Sequence, residues 1–237
     1  MLPRASDGVT TPQTAAQTRI PANLPRDSAQ TLGPAKEVAG VIPGADPFVG
    51  ASFTLRNRIG RALWGIAYIL LFRPSLRPMH AWRGFLLRLF GARLGRDVHV
   101  YPAAHIWAPW NLEIGDRVGI ADGAILYNMA PLRIGNCATV STGAHLCGGS
   151  HDIDSANFQL TAGPIEVGAY AWICTEAFVG QNVRIPEGAV IGARAVVMKS
   201  PPSAWTVYVG APARPVRARA QDLKNPARGT MDERSGT

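Results

Sequence analysis

From residue 94 onward aliphatic side chains return at every sixth position. They stand at Leu94, Val100, Ile106 and Leu112, step by two to Ile114, Ile120, Leu126 and Leu132, and step again to Ile134, Val140 and Leu146. After an interruption the series resumes at Val167, Ile173, Val179, Ile185, Ile191 and Val197. A strand half-buried in a flat sheet alternates with a period of two, so a period of six means a short strand and a turn, repeated. A second lattice of small residues follows four places behind, at Ala104, Ala124, Ala138, Ala144, Ala171, Ala177, Ala189 and Ala195, and glycine follows many of the aliphatic corners. Three such units close one triangular coil of about 18 residues, and the pattern predicts an all-β parallel β-helix of roughly five coils over residues 94–200.

The lattice breaks once. The corner after Leu146 should be aliphatic at position 152, where Asp152 stands, and the series returns only at Ile165 and Val167. About 13 residues around IDSANFQLTAGPI therefore leave the coil as a loop near 153–165. Immediately before it stands His151. A loop leaving a rigid scaffold beside a titratable group is a common construction for an active site. Taken alone, a histidine at a loop root also fits a hydrogen-bonded surface residue. His99, His105, His145 and His151 all precede an aliphatic corner position, which points the four outward.

Ahead of the coil, residues 1–52 are rich in Ala, Thr, Pro, Gln and Asp without apolar periodicity, and are expected to form a disordered tail. Residues 53–93 read as two short helices broken at the prolines of 74–78. The first aligns Leu55, Ile59, Leu63, Ile66 and Leu70 on one face, with Trp64, Tyr68 and Phe72 on others; the second runs over about 80–90 and stops at Gly91. Both helices, and a carboxy-terminal segment at 201–237, are expected to cap the unpaired edges of the end coils.

The charge of +8 is concentrated: residues 53–99 hold nine arginines against the single Asp97. Eight of those arginines are interleaved with Trp64, Tyr68, Phe72, Trp82, Phe85 and Phe90, which suggests peripheral contact with the inner membrane surface through residues 53–94, with plain capping as the simpler reading. Nucleic acid is not expected, because the run 62–72 is too apolar for a helix that reads phosphates. That run is also far short of the roughly 20 residues that span a bilayer, and no secretory pattern opens the chain. Three cysteines without a CxxC pair suggest a reducing cytoplasm. Signatures of P-loop, dinucleotide-binding, zincin and nucleophile-elbow enzymes are absent.

The strings LFRPSLRPMHAWRGFLLRLFGARLG, IWAPWNLEIGD, LCGGSHDI, GARAVV and VYVGAPARPVR, between residues 53 and 217, resemble the left-handed β-helix (hexapeptide-repeat) acyltransferases, in particular the colanic-acid and exopolysaccharide O-acetyltransferases. The resemblance implies a left-handed coil, a homotrimer, acetyl-CoA as acetyl donor without a metal, and a sugar hydroxyl as acceptor. It makes His151 the general base that takes the proton of the acceptor during direct attack on the thioester, with a backbone N–H holding the oxyanion. It places Thr175, Ala193 and Met198 along the pantetheine arm, and Lys199, Arg214 and Arg217 at the nucleotide phosphates, although these cations also fit a solvated carboxy-terminal edge. Asn128, Asp152 and Asp154 are candidate substrate contacts or partners of His151. Members of the galactoside type carry an asparagine where this chain reads Ala121, Asp122 and Gly123. Two other readings stand beside this one. A non-catalytic β-helix could dock a membrane or protein partner, and a β-helix carbonic anhydrase would bind zinc through three histidines, whose spacing differs from that found here. Cys147 and Cys174 sit beside coil corners with no histidine in register to activate them.

Overall fold

The computed structural model describes residues 41–42 and 50–220. Most of the tail expected over residues 1–52 lies outside the described residues, as do residues 221–237. At its described edge Val41 bridges Phe53 in antiparallel fashion, and the Ile42 N–H donates to the Ser52 carbonyl at 2.9 Å.

Short parallel strands stack into the three faces of a prism. The first face holds Arg93–Leu94, Leu112–Ile114, Leu132–Ile134, Ile165–Val167 and Arg184–Ile185. The second holds His99–Val100, Gly119–Ile120, Thr139–Val140, Trp172–Ile173 and Val190–Ile191, and the third His105–Ile106, Ile125–Tyr127, His145–Cys147, Phe178–Val179 and Val196–Val197. Thr206–Val209 adds a sixth level to the second face, and Arg214–Ala218 folds back on it antiparallel. The aliphatic lattice fills the interior: Val100, Ile120, Leu126, Val140, Leu146, Ile173, Val179, Ile185 and Ile191 are all fully buried.

The coils are not uniform. Twenty residues separate Leu94 from its register partner Ile114 and Ile114 from Ile134, whereas eighteen separate Val167 from Ile185. The expected 18-residue coil is thus corrected for the first turns. The cause is the step by two in the lattice: on the first face Leu112 and Ile114, and again Leu132 and Ile134, both point inward and are buried, which lengthens the strand by one pleat. The glycine after each of these corners is forced by close stacking, since a Cβ on Gly95, Gly115, Gly135 or Gly168 would lie within 2.6 Å of the next coil. Between the inward pairs, Arg93, Glu113, Arg133, Glu166 and Arg184 alternate in charge up the outer surface, with N–O distances of 3.0–3.4 Å.

Two helices cover the first coil, α1 (Leu55–Ala67), continued by a wider turn at Tyr68–Phe72, and α2 (His80–Leu89). The Trp64 indole N–H donates to the Ile106 carbonyl at 2.7 Å, and its ring packs on Tyr68, Phe72 and Phe90. The aliphatic stripe Leu55, Ile59, Leu63, Ile66 and Leu70 faces outward instead, so the side of α1 that the sequence pattern marks as apolar is not the side that packs. Aromatic area decided the orientation: Trp64 and Phe72 bury more surface against the coil edge than the smaller side chains would. Arg83 is fully buried, donating to the carbonyls of Val100 (2.6 Å), Leu76 (2.8 Å) and Arg77 (2.5 Å) and to the Ser75 hydroxyl (2.8 Å). Burial lowers its pKa, yet four acceptors hold the cation. At the other end Trp205 and Tyr208 close the last coil, and a Cβ on Gly188 would strike the Trp205 ring.

Candidate functional site

The residues pushed out of the lattice form a hairpin rather than a loop. Gly149–His151 pairs antiparallel with Leu160–Ala162, and His151 stands opposite Leu160. His151 therefore belongs to an arm leaving the corner between the third and first faces, and not to the outward histidine row. The arm's seat explains the doubled glycine of LCGGSHDI. The Gly148 N–H donates to the Tyr127 carbonyl and the Gly163 N–H to the Gly148 carbonyl, both at 2.9 Å. A Cβ at Gly149 would come within 2.2 Å of Met129 Sδ and 2.9 Å of the Tyr127 ring, and one at Gly163 would meet the Asn182 amide. The Gln181 amide N–H donates to Thr161 Oγ1 at 3.2 Å and ties the arm to the next coil.

His151 is half-buried and held on two sides. Nδ1 lies 2.8 Å from the Phe158 carbonyl, and the Phe158 ring stacks on the imidazole at 4.4 Å and 12°. A carbonyl oxygen only accepts, so Nδ1 carries the hydrogen, and in the neutral ring the free lone pair is on Nε2. That is the tautomer a base needs. Phe158 was missed in the sequence; its signal is an aromatic residue inside an otherwise polar insertion. Asp152 and Asp154 organise the tip: Asp152 Oδ1 accepts the Asp154 N–H at 3.1 Å, and the Asp152 N–H donates to the Gln159 carbonyl at 2.8 Å. Both carboxylates are exposed, and their recorded bonds stay within the arm.

Asn128 has a different place from the one expected. It is buried, its Oδ1 accepting the Ala108 N–H at 3.0 Å and its Nδ2 donating to the Ala108 carbonyl at 2.7 Å. Both ends of the amide are used, so Asn128 braces one coil against the previous one instead of meeting a substrate. Asp122, within the stretch of residues 121–123 where the resemblance to the galactoside type led to an expected asparagine, accepts from Arg77 at 2.7 Å and from the Ala103 N–H at 2.9 Å.

The residues expected along acetyl-CoA fall on two edges. Thr175 and Ala193 occupy successive levels of the corner between the second and third faces, and both are exposed. Met198 and Lys199 are exposed at the corner between the third and first faces, from which the His151 arm also leaves. Arg214 and Arg217 lie exposed on the closing antiparallel strand, bonding only the nearby Ala213 and Ala218 carbonyls. None of these three cations has an acidic partner among the described residues, which leaves their charge available to phosphate.

The other histidines separate. His99 is on the second face, stacked on His80 at 4.6 Å. His105 and His145 share the third face with Ile125 between them, two strand spacings or roughly 10 Å apart. His145 is wedged against Tyr127 and Phe178, its Nε2 is buried without a partner, and burial and then the neighbouring His105 lower its pKa. Among the described residues no three His, Cys, Asp or Glu side chains converge. Burial raises the pKa of the Cys174 thiol, the opposite of what activates a nucleophile.

The stacked prism is a fold shared with solved acetyltransferases. The chain superposes on the crystal structure of a maltose O-acetyltransferase from Clostridium difficile 630 with a TM-score of 0.65 and 22% identity, over 71% of this chain and 90% of that one. It superposes on a hexapeptide-repeat acetyltransferase of Vibrio cholerae O1 biovar eltor, complexed with acetyl coenzyme A, with a TM-score of 0.63 and 24% identity, over 70% and 91%. The coil of this chain is a left-handed parallel β-helix, as the resemblance implied. No protein-family model matches the chain. In sequence it is 39% identical over 165 residues to the protein of Escherichia coli (strain K12) named as the colanic acid biosynthesis acetyltransferase WcaF, covering 70% of this chain and 90% of that protein. The chain belongs to this family of acetyltransferases.

Proposed function

We propose that the protein transfers the acetyl group of acetyl-CoA directly to a sugar hydroxyl during exopolysaccharide biosynthesis, with His151 as general base. The observation that carries this reading is the His151 geometry: the Phe158 carbonyl fixes the Nδ1–H tautomer and the stacked ring fixes the plane, so Nε2 is held ready to accept a proton. Acetyl-CoA supplies the acetyl group as a thioester. His151 Nε2 takes the acceptor hydroxyl's proton as that oxygen attacks the thioester carbon; the C–O bond forms, the C–S bond breaks, and the imidazolium returns the proton to the departing thiolate. A backbone N–H stabilises the oxyanion, and no covalent acyl-enzyme is required.

The division of the donor-binding candidates between two edges supports a homotrimer. A ligand that meets Thr175 and Ala193 as well as Met198, Lys199 and His151 must either cross the whole third face or lie between two chains, and only the second arrangement shelters the thioester from water. Lys199, Arg214 and Arg217 then bind the nucleotide phosphates, and Asp152 and Asp154 line the acceptor side. Incubation of the protein with acetyl-CoA and a panel of carbohydrates tests the reading. The expected product is a sugar ester heavier by one acetyl group. Acetylation of an amine alone, or free acetate with every acceptor, would overturn it.

A further inference from the structure

The broadest exposed apolar surface on the N-terminal cap faces away from the coils. Leu55, Ile59, Leu63, Ile66 and Leu70 of the first helix and its extension are each between 51% and 67% exposed, while Trp64, Ala67 and Phe72 on the other side are buried. Ile69 and Leu71 widen the strip. The Trp82 indole donates to the Leu71 carbonyl at 3.0 Å and stacks on Phe85, so α2 adds exposed Phe85 and, one turn on, Leu89. At 3.6 residues per turn Arg56 and Arg58 border the stripe on opposite sides, and Arg73 stands at its end. These three are exposed and have no acidic partner among the described residues. The other six arginines of the segment are otherwise engaged: Arg83 is buried, Arg77, Arg93 and Arg96 pair with Asp122, Glu113 and Asp116, Arg61 donates to Asn57 Oδ1, and Arg88 donates to the Leu94 and Gly95 carbonyls.

We propose that this face rests on an anionic lipid surface, with α1 lying in the plane of the interface. The surface makes two demands, an apolar stripe that avoids water and a cationic border that seeks anions, and a bilayer of anionic lipid meets both. A second copy of this chain does not, because self-packing of the stripe would oppose its cationic border of Arg56, Arg58 and Arg73, and residues 53–96 offer no acidic side chain to meet it. No helix among the described residues is long and apolar enough to cross a bilayer. Capping and lipid contact thus use different side chains of the same helices: the aromatic side closes the coil and the aliphatic side faces lipid.

Co-sedimentation of the full chain with phosphatidylcholine vesicles, with and without phosphatidylglycerol, tests the proposal. The protein pellets with the anionic vesicles at low salt and is released as salt rises. Replacing Arg56, Arg58 and Arg73 by Gln weakens partitioning roughly fivefold for each arginine removed. Replacing Ile59, Leu63 and Ile66 by Ser abolishes it without altering thermal unfolding, because none of the three packs in the fold. Three results would overturn the proposal: protein left in the supernatant with anionic vesicles at low salt, a serine variant that pellets like the parent, or a serine variant whose light-scattering mass falls without lipid, which would identify another copy as the occupant.

Discussion

The hairpin arm and the N-terminal cap are both additions to a repeating coil, yet they are attached in opposite ways. The cap is held by burial: Trp64, Phe72, Leu86 and Leu87 are almost wholly inaccessible, each contributing about 1.5–3 kcal/mol, and Arg83 plugs the remaining carbonyls. The arm buries little. It is held by backbone bonds at Gly148 and Gly163, by the clearance at Gly149, and by the Gln181 link. Stability and positioning are thereby assigned to different parts, so mutations should separate them.

The largest stability effect is expected at Arg83. Arg83→Met removes a cation that satisfies four acceptors and leaves the Val100, Leu76 and Arg77 carbonyls without that donor; a loss of about 3–5 kcal/mol is expected in urea unfolding, with transfer per folded molecule little changed. Gly149→Ala should reverse that balance. Its Cβ collides with Met129 Sδ, costing about 1–3 kcal/mol, but the displaced arm should lower transfer by roughly tenfold or more, and Met129→Ala in the same chain should restore part of it.

A smaller effect concerns pH. His145 has a lowered pKa in the fold, so the unfolded chain binds its proton more readily; the neutral form's contribution is complete above about pH 6.5 and is lost as pH falls toward the folded value. His145→Phe should therefore lose less stability between about pH 6.5 and 5 than the parent, measured by thermal unfolding at each pH. A variant with the parent's acid sensitivity would show that His145 is not the source of that loss. The smallest effect is expected in the outer ladder, where Glu113→Gln should cost about 0.2–1 kcal/mol, a difference that added salt erases.

The coil was readable because its interior admits one aliphatic residue per corner, which writes a period of six into the chain whatever the surface does. The arm's location was readable for the same reason, as the place where Asp152 breaks the lattice. Its hairpin form was not, because Leu160–Ala162 is too short to announce a strand. Amphipathicity misled at α1: the pattern identifies an apolar stripe but not which neighbour covers it, and Trp64 and Phe72 won the coil edge. Asn128 illustrates a further limit. A buried asparagine bonded to a neighbouring backbone and one facing a substrate are the same letter, and only the two bonds to Ala108 distinguish them.

The most direct test of the assignment of His151 measures two quantities on one preparation of His151→Ala: the rate of acetyl transfer and the affinity for acetyl-CoA. The expected rate is lower by about two to four orders of magnitude, the range for loss of a general base, with affinity and thermal unfolding unchanged. Transfer at a rate near that of the parent, in a folded variant that binds the donor normally, would contradict it.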